Sequence, residues 1–466
     1  MSVQNKNLLN VLASLLTVAL LVGFLPAAPT AAGSHQQPKN IIVMISDGMG
    51  YNQSLAASYY HFGKPDRPVY HHFPFQSAMS TYPGAESLGA PDGDPCAGWG
   101  YDPALAWSEF DYVRTCPTDS AAAATAMASG VKTYNAAIGV DVNGNRVKNV
   151  VEAAEEQGKA TGVVTTVEFS HATPAGFVAH NLSRNDYAGI AQEMIYQSAT
   201  DVIMGAGHPW YDIDGLPVIT PNTFKYVGGE NTWNDLIAGT AGNDADGDGD
   251  FDAWTLVQAR QDFQNLAFGA TPQRVIGVAQ VYTTLQQSRS GDGMAVPNQV
   301  PLNSSVPSLT EMTLAALNVL DEDPDGLFLM VEGGAIDWAS HANQPGRTIE
   351  EQADFNLAVE AVVRWVQANS NWGETLLIVT ADHETGYLWG PGSNPTWEPL
   401  VNNGRGALPG MQFNSSDHTN SLIPFFAKGA AARWFKPYAD QEDPVRGAYL
   451  DNTAIAQAIF QLLGEQ

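Results

Sequence analysis

"NIIVMISDGMG", residues 40–50, decides how the chain is read. Five consecutive apolar residues, Ile41 to Ile45, show no polar alternation. Such a run fits a strand covered on both faces, as in a parallel sheet. It stops abruptly at Asp47 in a glycine turn. Three further runs repeat the pattern: "ATGVVTT" (160–166), "GLFLMV" (326–331) and "TLLIVT" (375–380). Each passes directly into polar groups. The first leads to Glu168, His171 and Thr173 in "VEFSHATP", the second to Glu332, Asp337 and His341 in "EGGAIDWASH", the third to Asp382 and His383 in "ADHETG". Helical patterns separate the runs. "RVKNVVEAAEEQGK" (146–159) is amphipathic and stops at Gly158, and "TIEEQADFNLAVEAVVRWVQAN" (348–369) opens on Thr348 and Glu351 at capping-box spacing. Strand, helix, strand predicts an α/β fold: a central, mostly parallel sheet flanked by helices on both faces. Ligands of such sheets bind beyond the carboxyl ends of the strands. The polar endings should therefore meet at one edge. "SSDHTNSLIPFFAKG" (415–429) adds His418 ahead of a fifth apolar run.

The edge would hold Asp47, Glu332, Asp337, His341, Asp382, His383 and His418. Four carboxylates and three imidazoles cannot gather away from water without compensation. Divalent cations supply it. Imidazole with carboxylate suits zinc, and carboxylate with hydroxyl suits magnesium. Asp337 and His341 are four apart and share a face of one helical turn. A lone Asp-His or an Asp-Gly turn is ordinary surface chemistry; four such endings in one pattern are not.

Composition narrows the setting. Residues 1–32 contain Lys6, the apolar run "LLNVLASLLTVALLVGFL" and then small residues, the layout of a secretory signal peptide cleaved near Ala31 or Ala32. The mature chain, 33–466, is expected outside the cytoplasm, secreted or periplasmic, and no longer held at a membrane. Its two cysteines, Cys96 and Cys116, would pair in an oxidising compartment. That bridge would tether the segment ahead of Ser120 and add about 3 kcal/mol on the chain-entropy model. The net charge is −28, from 49 acidic and 21 basic residues, which argues against a nucleic-acid partner. An acidic protein acting on an anion needs a local positive source, and metal ions are the obvious one.

In "RTCPTDSAAAATAMASG" (114–130) a polar pair, Asp119-Ser120, opens an alanine-rich helix. Capping alone explains such a pair. The second reading makes Ser120 a nucleophile, because a helix N-terminus receives anions and alanines allow close approach.

The motifs "DGMG", "TDSAAAATAMASG", "HATPAGFVAHNLSR", "VEGGAIDWASHAN", "TADHETG" and "DHTN" resemble those of alkaline phosphatases, in the same order, over residues 40 to 430. The resemblance implies that Ser120 attacks the phosphorus of a phosphate monoester. It implies two zinc ions and one magnesium ion. Asp47, Asp382 and His383 match the ligands of the zinc that lowers the serine pKa. Asp337, His341 and His418 match those of the zinc that assists the leaving oxygen and the hydrolysing water. Asp47, Thr173 and Glu332 match the magnesium ligands. Arg184 matches the arginine that grips two phosphate oxygens, a task suited to its planar fork. The family is commonly homodimeric. This chain departs from the best-known bacterial pattern at two places beside the ligands. His171 stands where that pattern has aspartate, and Trp338 where it has lysine; some family members carry this pair.

Residues 205–320 match less well and are expected to form an inserted loop or cap region. Within them "NDADGDGDFDAW" (243–254) spaces acids as calcium loops do, from Asp244 to Asp252. Thr255 holds the position of the bidentate glutamate, so an acidic surface turn leading into the helix "AWTLVQARQDFQNLA" competes with a calcium site. Rival functions are a phosphodiesterase or sulfatase-like hydrolase and, in another class, an acidic secreted calcium-binding matrix protein. The sulfatase pattern is absent from "CPTDSAA", and the matrix reading does not explain ligands at strand ends.

Overall fold

The computed structural model describes residues 37–85, 87–88, 96 and 100–465. The expected signal peptide lies outside them. The four unalternated runs form adjacent parallel strands. Asn40–Ser46 lies between Thr375–Thr380 and Leu327–Gly333, with Ala160–Glu168 next in line. Val202–Ala206, Val275–Val278 and Thr255–Val257 extend the sheet on that side, all parallel. On the other side Ile423–Gly429 runs antiparallel to Thr375–Thr380, followed by Phe75–Ser80, Gly447–Asp451 and Gln441–Asp443. Eleven strands of the described residues share this mixed, mostly parallel sheet.

The absence of alternation has a direct cause: both faces are covered. Ile41, Val43 and Ile45 enter one core with Ala124, Met127, Ile455 and Ile459. Ile42 and Met44 enter the opposite core with Met312, Phe355, Val359 and Val362. The helices Ser120–Ser129 and Ala454–Leu462 supply the first face, and Leu309–Leu320 and Pro345–Asn369 the second.

Two local expectations need correction. The helix expected from Thr348 starts at Pro345, whose fixed φ suits a first turn. Thr348 is therefore inside the helix, where its hydroxyl donates to the Gln344 carbonyl at 3.0 Å instead of capping. The helix expected from Ala253 is only Arg260–Leu266. Asp252–Ala253 and Thr255–Val257 are strands, because pairing with Gly242–Asn243 and Val275–Gly277 overrides local helix preference. Residues 205–320 thus build two strands into the main sheet as well as forming loops. Cys96 and Cys116 form a disulfide, with Cα atoms 5.5 Å apart. No helix among the described residues is long and apolar enough to cross a membrane.

The antiparallel strand Ile423–Gly429 has a functional consequence. Its start lies where its parallel neighbours end, which brings His418 to the edge occupied by Asp47, Glu332 and Asp382. There His418–Thr419 pairs with Glu384–Thr385 in a two-stranded sheet.

Candidate active site at the sheet edge

Ser120 is the first residue of the helix Ser120–Ser129 and is 1% exposed. Asp119 does cap this helix, accepting from the Ala122 N–H at 2.9 Å. Its other oxygen accepts from Arg184 Nη1 at 2.9 Å and the Ala136 N–H at 3.0 Å. Capping and anchoring are thus done by one carboxylate, and Ser120 is left to face His383, with Oγ 3.2 Å from Nε2. The alanines have a second use. A Cβ placed on Gly176 would lie 2.8 Å from that of Ala124. Small residues on both sides let the helix Ala172–Val178, which carries Thr173, press against the serine helix.

Asp337, His341 and His418 bring ligand atoms within 4.8 Å of one another. His341 Nδ1 faces the Ser416 carbonyl at 2.6 Å, and His418 Nδ1 faces the Thr118 carbonyl at 2.8 Å. A carbonyl only accepts, so each Nδ1 carries the proton and each Nε2 turns a lone pair inward. The two Nε2 atoms stand 2.9 Å apart, each 3.3 Å from Asp337 Oδ1. Lone pairs that close require a proton or a cation between them. Asp47, Asp382 and His383, all 0% exposed, form a second group. His383 Nε2 is 3.2 Å from Asp382 and 3.5 Å from Asp47. Both oxygens of Asp47 and Oδ2 of Asp382 are buried without a hydrogen-bond partner.

The third group is Asp47, His171 and Glu332. The Thr165 hydroxyl donates to Glu332 at 2.5 Å, while the Thr173 hydroxyl and Glu332 Oε1 are buried without a hydrogen-bond partner. His171, expected behind the ligands, has a ring nitrogen within their range. Its Nε2 is 3.2 Å from Arg184, its Nδ1 is buried without a partner, and its ring centroid is 5.9 Å from that of Trp338.

The protonation tendencies share one cause. Burial, then Asp382, Asp337 and Glu332, pushes Asp47 well above the carboxylate range. Burial carries Asp382 up to about 6 and Glu332 to about 7. Burial, then His418, drives His383 far below the usual imidazole value, and burial, then Arg184, drives His171 to about 3. Burial opposes the charges of His418 and Asp337, but their mutual attraction wins: His418 rises to about 9, and Asp337 falls below its ordinary value. Burial thus works against charge on Asp47, Asp382 and Glu332 and on the imidazoles of His383 and His171. This donor set of buried carboxylates, imidazoles and a hydroxyl fits divalent cations.

Asp337, His341, His418 and His171 line a cavity of about 510 Å³ that also reaches Ser120, Arg184 and Trp338. It is also lined by Ala342, within "VEGGAIDWASHAN", and by Gln287, which lies outside every motif. Thr385 was likewise missed. Its buried hydroxyl donates to Asp337 at 2.5 Å and lies 3.2 Å from His383 Nδ1, linking two groups. Its place in "ADHETG" was a signal; Gln287 had none. In the acidic loop Asp244, Asp246 and Asp248 also come within 4.8 Å, but all three are exposed.

A large sheet with helices on both faces, carrying a buried serine among three charged groups at its edge, defines an α/β enzyme of the phosphatase class. Comparison with known proteins bears this out. The alkaline phosphatase family model matches residues 38–423. The chain belongs to the alkaline phosphatase family. Alkaline phosphatase 3 of Bacillus subtilis is 32% identical over 384 residues, which cover 81% of this chain and 68% of that protein. The alkaline phosphatase of Escherichia coli K12 is 30% identical over 456 residues, or 91% of this chain and 88% of that protein. Among solved structures, the alkaline phosphatase of the Antarctic bacterium TAB5 superposes with a TM-score of 0.61 at 25% identity, covering 92% of this chain and 99% of that one. A TAB5 variant with a histidine replaced by aspartate, solved with magnesium in its M3 site, covers the same shares with a TM-score of 0.62.

Proposed function

We propose that the chain hydrolyses phosphate monoesters through a phosphoserine at Ser120. One observation carries the reading: Ser120 Oγ, at a helix N-terminus, faces His383 at 3.2 Å in the cavity that Arg184 also lines. Ser120 Oγ bonds to phosphorus as the ester P–O bond breaks, and the alcohol leaves with a proton. Water then bonds to phosphorus as the bond from phosphorus to Ser120 Oγ breaks, a water proton returns to Oγ, and inorganic phosphate is released. Burial works against the Arg184 charge, but Asp119 outweighs it and keeps the guanidinium positive. Asp119 also fixes its orientation, so that its fork is ready for two phosphate oxygens. The N–H groups of the helix start face the same anion.

Asp47, Asp382 and His383 would hold one zinc ion, and Asp337, His341 and His418 another. Asp47, Glu332 and Thr173 would hold magnesium, with His171 at its side. When bound, these ions supply the positive charge that lowers the serine pKa and neutralises the attacking and departing oxygens. Thr118 and Ser416 orient the two histidines through their carbonyls. The TAB5 variant, with aspartate for histidine and magnesium in M3, supports reading His171 as the residue that tunes the third site.

The mature chain would act as a homodimer in an extracytoplasmic, secreted or periplasmic setting after loss of residues 1–32. The test is metal content together with rates on a monoester and a bis-ester for the purified mature chain. Tightly held zinc with monoesterase activity supports the reading. A faster bis-ester rate, or activity with zinc shown to be absent, overturns it.

A further inference from the structure

The motifs contain every residue that lines the cavity except Gln287. Gln287 shares this lining with Trp338 and Ala342. Gln287 comes from the stretch that matched no motif, yet the chain holds it firmly. Its Nε2 donates to Gln344 Oε1 at 3.1 Å, and its Oε1 accepts from the Ser288 hydroxyl at 2.9 Å. An amide has two N–H groups and two lone pairs. Gln287 therefore keeps one N–H and one lone pair for a ligand.

Its backbone is pinned as well. Arg347, 5% exposed, donates to the carbonyls of Gln287 and, at 2.8 Å, of Arg289. Arg289, 3% exposed, donates to the carbonyls of Gln286, Val300 and Pro301 and pairs with Glu350 at 2.8 Å. Burying two guanidiniums is costly unless their partners are well placed. Here they serve to fix one loop. Gln344, which receives the Gln287 amide, bonds through its N–H to the Ala339 carbonyl at 2.8 Å. Gln287 is thereby registered on the helix Ala335–His341 that carries Asp337 and His341.

We propose that Gln287 is a specificity residue that hydrogen-bonds the alcohol portion of the substrate beside the Trp338 ring, favouring monoesters of hydroxylated alcohols. This rests on the phosphomonoesterase reading. Arg184 and Ser120 take the phosphoryl group, so the alcohol extends toward the remaining wall. A rigid amide with one free donor and one free acceptor suits a polyol hydroxyl, which offers both.

The experiment compares glycerol phosphate with phenyl phosphate on the wild-type enzyme, Gln287→Ala and Gln287→Leu, the last filling the space without hydrogen bonds. The ratio of kcat/KM for glycerol phosphate to that for phenyl phosphate should fall about three- to tenfold in both variants, the range for one lost hydrogen bond, and chiefly through KM. An unchanged ratio overturns the proposal. So does inhibition by inorganic phosphate that weakens by the same factor, because Gln287 would then serve the phosphoryl end. If the wild-type enzyme hydrolyses neither probe, the phosphomonoesterase reading itself fails, a separate result.

Discussion

Both the sheet-edge site and the acidic loop at residues 244–252 bring three ligand atoms within 4.8 Å of one another. They differ in what surrounds those atoms. In the loop the carboxylates are exposed and already answered by the chain. Gly249 donates to Asp244, Asp248 to Asp246 and Asp250 to Asp248, all at 2.8–3.1 Å. These bonds are the ordinary self-satisfaction of Asp-rich turns, and water takes the rest. At the edge Asp47 is 0% exposed and neither of its oxygens has a partner. Acid spacing builds a turn. Burial of unanswered charge creates a demand for a cation.

The largest effect that would break this contrast is metal removal. Chelation should abolish phosphatase activity and added zinc restore it, measured with metal content on the same samples. Ser120→Ala comes next. It should lower kcat by about 10³ or more with zinc still bound. A folded, zinc-loaded variant with near-normal kcat would remove Ser120 from the chemistry.

Exchanging His171→Asp together with Trp338→Lys sharpens the contrast inside the edge itself. The change adds a carboxylate to the third group and a cation beside the phosphate. Magnesium should bind more tightly, by about tenfold, as neighbouring ligand-shell changes do. Inorganic phosphate should also bind more tightly and leave more slowly. Titrating both ligands against both proteins checks this; unchanged or weaker binding of the two means these positions do not tune the site. The smallest effect belongs to the loop. Asp246→Asn with Asp248→Asn should alter kcat/KM by less than about twofold, as exposed substitutions usually do, with steady-state rates as the measure. A large loss would give the loop a role that its exposure denies it.

Much of this was legible because the deciding signals are short-range. Ile41 to Ile45 announces a doubly covered strand, and Asp47 directly after it announces where ligands gather. Thr348 and Ala253 misled for the same reason. Each carries a local helix signal, but Pro345 had already started one helix, and sheet pairing had claimed Asp252 to Val257. Sequence order likewise could not tell that His171 stands within ligand range of Asp47 and Glu332.

The α/β class, the strand ends that carry ligands and the serine at a helix start can all be read along the chain, because each depends on residues a few positions apart. The rest depends on how distant segments pack. His418 reaches the edge through an antiparallel strand, Asp119 holds Arg184 across 65 positions, and Gln287, its loop held by two buried arginines, lines the same cavity as Trp338. Those contacts arise from strand order and buried charge pairing, which bring distant segments together and leave no periodic trace along the chain.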